Sequence, residues 1–180
     1  MRRNQRLQLK KIVASRADAS RHLLAPGDAV LVDRGVPRWL LISCPCGCGE
    51  ELPINLDGRA GKAWRLYRHP KWGLSLFPSV WRDTDCRSHF IIWRDQILLF
   101  GRNEHAFDES SFGEEGMPAA ETVLAQIPIT GRISFTDIAE ALHAVPWDIL
   151  RVCRKLVRSG NAYEGRGSER GSFGRKSQAQ

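Results

Sequence analysis

No run in this chain comes near the roughly 18 consecutive apolar residues that a membrane-spanning helix needs. The basic N-terminus also lacks the apolar stretch and small-residue cleavage site of a secretory signal. A cytoplasmic protein with no membrane partner is therefore expected. The sequence offers no convincing nucleophile and base pair either, so an enzyme is not the first expectation. Cysteine is sparse, five among 180 residues, and yet three of the five fall between positions 44 and 48. In a reducing compartment such crowding points to metal ligands or reactive thiols before disulfides. The 42 % hydrophobic content is ample for a core, which excludes a chain that is disordered as a whole.

What the chain does have is the run Cys44-Pro45-Cys46-Gly47-Cys48-Gly49 and, further on, the pair Cys86 and His89. Thiolate and imidazole are the usual ligands of tetrahedral zinc, and the two glycines let a backbone turn tightly around an ion. Cys44, Cys46, Cys48, Cys86 and His89 are five candidates for four places around one structural zinc ion. A disulfide from the cluster to Cys86, or buried free thiols acting as small hydrophobes, would explain the same residues. Cys153 stands alone in an apolar helical pattern and is read as a core residue.

The formal net charge is +7, unevenly spread. Residues 1–22 carry seven Lys/Arg against one acid, and residues 146–180 carry eight against three, so the stretch between is net acidic. Basic ends would draw an anionic partner, whether nucleic acid or an acidic protein face. They would equally serve a merely soluble surface.

Taken in order, residues 1–25 are read as a basic flexible arm. From Pro26 the pattern becomes short runs rich in Val, Ile, Leu and Trp, broken by Gly and Pro: 29–32, 38–43, 51–56, 63–68, 74–77, 88–93 and 96–100. These predict an antiparallel β-domain over 26–102, with hairpin links at 33–37 and 94–95. The cysteine cluster then falls at the end of one strand and Cys86 and His89 at the start of another. Trp39, Trp64, Trp72, Trp81 and Trp93 lie in this segment and are read as core and rim packing before base stacking. Residues 103–118 turn polar and acidic and are read as a linker.

Beyond it, 121–126 reads as a helix stopped by Pro128, Ser134-Phe135-Thr136-Asp137 as a cap opening a helix to Leu142, and Pro146 as the first turn of a third helix ending before Gly160. With 161–166 as the wing, this predicts a winged helix-turn-helix-like domain over 119–165, followed by a disordered basic tail over 166–180. The overall fold class is α+β. Arg151, Arg154, Lys155 and Arg158 fall opposite the apolar face of the third helix, as residues binding nucleic acid or a protein partner would. A solvated face gives the same pattern.

The cysteine run, then Leu74-Ser75-Leu76-Phe77-Pro78-Ser79, then Cys86-Arg87-Ser88-His89-Phe90-Ile91-Ile92-Trp93, resemble a bacterial family of predicted metal-binding proteins. Its members are often encoded beside bacterial ubiquitin-like proteins and their E1-like, E2-like and JAB-peptidase partners. The resemblance covers roughly residues 38–100. It implies a zinc-binding β-domain in, or regulating, a ubiquitin-like modification pathway, with the ubiquitin-like protein or its E1-like and E2-like enzymes as partners.

Three functions follow from these features. The first is an adaptor or E3-like accessory protein with a structural zinc. The second is a DNA-binding regulator in which the winged helix contacts duplex DNA. The third is a zinc metalloenzyme with Asp83, Asp85 or Glu50 as base, although four or five protein ligands argue for a closed site.

Overall fold

The computed structural model describes residues 5–83, 85–100 and 114–176. The chain divides into two compact units, residues 1–107 and 108–180. It is a mixed α+β protein whose sheets are mostly antiparallel.

Unit 1 is built from nine strands. They are β1 (Gln5–Arg6), β2 (Gln8–Val13), β3 (Asp28–Asp33), β4 (Pro37–Ser43), β5 (Glu51–Asn55), β6 (Arg65–His69), β7 (Gly73–Trp81), β8 (His89–Trp93) and β9 (Gln96–Phe100). One sheet has the order β1-β9-β8-β7-β6 and the other β2-β3-β4-β5. The apolar faces of both sheets meet in one core: Leu40, Ile42, Leu52 and Ile54 from the second sheet, and Leu74, Leu76, Phe90, Ile92 and Ile97 from the first. β5 shows the period of two that sets this up, with Leu52 and Ile54 buried and Glu51 and Pro53 exposed. Pro53 cannot donate to a ladder, which suits an edge strand.

β8 and β9 are joined by Arg94 and Asp95 alone, both in the left-handed region (φ 52° and 60°), as a two-residue type I′ connection requires. Asp95 then ties three elements together. Its carboxylate accepts the Leu74 N–H at 2.7 Å, its N–H donates to the Leu74 carbonyl, and its own carbonyl accepts the Leu7 N–H.

Residues 5–25 are not a free arm, and residues 1–4 lie outside the described residues. β2 pairs in parallel with β3, Leu7 is buried in the core, and the segment after β2 lays Ala19 and Leu23 over Val30, Val32 and Leu41. β3 is thereby buried on both faces. Gln8–Ile12 all stay exposed, so no alternation betrays this strand; it is held by backbone pairing and by four small anchors, Leu7, Val13, Ala19 and Leu23. Gly27 (φ 88°) makes room for it, since a Cβ there would meet the Arg6 carbonyl at 3.0 Å. Among the five expected tryptophans Trp93 is buried, whereas Trp81 is 73 % exposed.

Unit 2 comprises α1 (Ala120–Gln126), β10 (Ile133–Ser134), α2 (Phe135–Ala141), α3 (Pro146–Arg158), β11 (Ala162–Glu164) and β12 (Ser172–Arg175). Ser134 caps α2 by accepting the Asp137 N–H, and Pro146 opens α3, where its missing N–H costs nothing. Ile149, Val152, Cys153 and Leu156 bury one face of α3 against Val123 and Ile138.

The expected disordered tail is a second correction. β12 is the middle strand of a three-stranded sheet, β10-β12-β11, and Phe173 is fully buried. A Gly/Ser/Arg-rich composition hides this, because one aromatic suffices as anchor and Gly174 clears space that the Tyr163 ring occupies. Residues 177–180 lie outside the described residues. So do residues 103–113 of the expected linker. Its far end, however, belongs to unit 2: Met117 packs on the core and Glu114 pairs with Lys155.

Candidate metal centre

β4 carries the chain to Ser43, and the next seven residues fold back on themselves. The Cys44 N–H donates to the Glu50 carbonyl at 2.8 Å and the Gly47 N–H to the Cys44 carbonyl at 3.1 Å. Gly47 and Gly49 both adopt the left-handed backbone (φ 85° and 83°) that closes this knuckle. Across from it, in the connection between β7 and β8, Cys86 sits between Asp85 and Arg87, also left-handed (φ 51° and 50°).

The two loops bring Cys44, Cys46, Cys48 and Cys86 together, with all four Sγ atoms within 4.8 Å of one another. Cys44 Sγ lies 3.3 Å from Cys46 Sγ and 3.8 Å from Cys86 Sγ. Tetrahedral zinc with Zn–S bonds of about 2.3 Å needs sulfurs about 3.8 Å apart, so the cluster fits one metal ion. Cys44 is buried, Cys86 half-buried, and Cys46 and Cys48 face solvent.

Buried Ser88 completes the pocket with its hydroxyl 3.0 Å from Cys86 Sγ and 3.4 Å from Cys44 Sγ. Burial pushes the Cys44 thiol up to about 12. Burial opposes ionisation of Cys46 as well, but hydrogen bonds from Ser88, Cys44 and Cys48 outweigh it and bring that thiol down to about 6. One thiolate is thus favoured at neutral pH, and the other three would have to lose protons to ligate a metal ion.

His89, the fifth expected ligand, does not join this group. Its ring is stacked between Trp81 (5.2 Å) and Phe100 (4.7 Å). The cause is strand alternation: Ser88 faces the cysteines, so its neighbour on β8 faces the other way. Burial lowers the His89 pKa. Ser88 and Arg82 were not singled out from the sequence. The signal for Ser88 was a polar residue two positions after a candidate ligand, entering an apolar strand. Of the residues considered as a metalloenzyme base, Glu50 and Asp85 are both paired with Arg82, and Asp83 is exposed.

Cys153 lies in unit 2, fully buried, its thiol pushed up to about 12 by burial and then by the Glu164 charge. On α3, Lys155 pairs with both carboxylate oxygens of Glu114 at 2.8 Å, Arg151 and Arg154 are half-buried, and Arg158 is exposed. Among the described residues no helix is long and apolar enough to cross a membrane.

Residues 16–100 match the family model BubE, described as bacterial ubiquitination-like system serine protease. The matched stretch contains all four clustered cysteines and ends with β9, leaving unit 2 outside it. The similarity links this part of the chain to bacterial ubiquitination-like systems. Neither the curated proteins nor the solved structures contain a match to the chain.

Proposed function

We propose that the chain is a zinc-carrying accessory protein of a bacterial ubiquitin-like modification system, adaptor or E3-like in role. Its β-domain would be closed by one structural zinc ion on Cys44, Cys46, Cys48 and Cys86. The observation that carries this is the convergence of four thiols inside the stretch that resembles the ubiquitination-like family. Soft thiolates in tetrahedral reach favour zinc. Four protein ligands fill its coordination sphere and leave no place for a reacting water, so the ion supplies folding energy to the fold rather than Lewis-acid chemistry.

The domain then presents a surface to the ubiquitin-like protein or its E1-like or E2-like enzymes. Unit 2, with its helix, strand, helix, helix, hairpin order, is read as a winged-helix type of docking module. Arg151, Arg154, Lys155 and Arg158 on α3 would form its partner face. A pull-down of the tagged full chain with the ubiquitin-like protein and the E1-like and E2-like enzymes of the same genome tests the reading. Capture of at least one, lost in Cys86→Ser, is expected. Zinc-loaded chain that captures none of them would refute the accessory role.

The family description favours a second reading, peptide-bond hydrolysis by a serine nucleophile. Among the described residues no serine hydroxyl is hydrogen-bonded to a histidine ring, so the pair would have to assemble on substrate. Ser79 on β7 and His89 on β8 belong to neighbouring strands, and burial favours the neutral imidazole that a general base needs. A fluorophosphonate probe that labels the native chain but not Ser79→Ala, with cleavage of a C-terminally extended ubiquitin-like protein, would establish hydrolysis. No labelling and no cleavage would leave the accessory role.

A further inference from the structure

Arg82 is the first residue beyond β7, and it reaches both ligand-bearing loops. Its guanidinium pairs with Glu50 through Nη1 and with Asp85 through Nη2. Glu50 closes the cysteine knuckle, since its carbonyl accepts the Cys44 N–H; Asp85 immediately precedes Cys86. The two loops belong to different sheets, β4 and β5 on one side and β7 and β8 on the other. One side chain thus spans the same gap as the metal would. The backbone supports it, for the Arg82 N–H donates to the carbonyl of Ser88, whose hydroxyl touches Cys44 and Cys86. Arg82 Nε is buried and makes no hydrogen bond among the described residues.

A divalent ion held by four thiolates leaves a double negative charge, and a protein must answer it with donors or a cation. Arg82 offers both: a fixed positive charge and a spare N–H. We propose that Arg82 is the lock of the metal centre, a positioning residue that straps the two ligand loops together, offsets the tetrathiolate charge and sets how slowly the metal leaves. The inference rests on the zinc reading above.

The test is the rate at which the purified, zinc-loaded full chain gives up its metal to a colorimetric chelator at several sodium chloride concentrations. Arg82→Gln is expected to release zinc about 10- to 100-fold faster, the usual span for removing a group that supports metal ligands. Release from the native chain should quicken with salt, because partly exposed ion pairs are screened, and this dependence should be lost in Arg82→Gln. Arg82→Lys, which keeps the charge but not the fork, should fall between them. Glu50→Gln with Asp85→Asn removes the same two bridges from the other side but keeps the guanidinium charge, so its release should lose the salt dependence and fall, like that of Arg82→Lys, between the native chain and Arg82→Gln; adding the pair to Arg82→Gln should change little. If Arg82→Gln does not fold, the Glu50→Gln/Asp85→Asn chain decides alone.

Equal release rates, or a salt dependence that survives the substitution, would overturn the lock while a native zinc content near one leaves the metal reading standing. A native chain that carries no zinc would overturn both.

Discussion

Cys86 is the one cysteine of the cluster that comes from the far side of the domain, so its removal isolates what a metal cross-link contributes. The link from Cys44 to Cys86 closes a loop of 42 residues. Treated as a chain cross-link, a loop of that size removes about 4 kcal/mol of conformational entropy from the unfolded state. For a unit of about 100 residues, each kcal/mol moves the midpoint by roughly 4–8 °C, so Cys86→Ser should lower the melting of unit 1 by about 15–30 °C. Near-UV circular dichroism suits the assay, because Trp93 is buried in this unit and Trp147, on α3 and stacked on Phe135, reports on the other. Only the transition of unit 1 should move. Excess chelator should bring the native chain to the melting point of the variant. If Cys86→Ser melts within a few degrees of the native chain, the cross-link argument is wrong, and the thiols are packing residues.

Metal affinity should fall on acidification, since protons compete for the thiolates, and the fall should steepen below pH about 6. Above that pH Cys46 is already ionised, whereas below it one more proton must leave on binding; competition titrations from pH 5 to 8 check this. Phe173→Ala should cost unit 2 about 3–5 kcal/mol and lower its melting transition alone, whereas a disordered tail would make the change silent. Replacing Arg151, Arg154 and Arg158 together by Gln in the full chain should abolish capture by unit 2. Sequence-selective duplex DNA binding by the native chain, with a salt slope reduced by about one unit for each removed arginine, would instead establish DNA contact.

The metal site was legible in the sequence as a set of residue types, and less so as geometry. Three cysteines spaced by two, with Gly47 between the last two and Gly49 just after them, declare a knuckle wherever they fall. The choice of Cys86 over His89 depends on which face of β8 each neighbour takes, and that is fixed only once the strand is seen to begin at His89. The hairpin at Arg94 and Asp95 was legible because a two-residue gap between apolar runs admits few geometries. β2 was not: all its side chains but Val13 are exposed, and its place comes mainly from backbone pairing with β3. β12 was hidden for the opposite reason, a single buried Phe173 among glycine, serine and arginine, whose composition imitates a solvated tail. Arg82 carries no sequence signature at all, because its two carboxylate partners lie in separate loops.

The central claim is one zinc ion on four sulfurs, and X-ray absorption at the zinc edge tests it most directly. Protein purified without added metal should contain about one zinc per chain, surrounded by four sulfur atoms at about 2.3 Å. A mixed sulfur and nitrogen shell would return His89 to the ligand set, and a fully folded chain without metal would contradict the account.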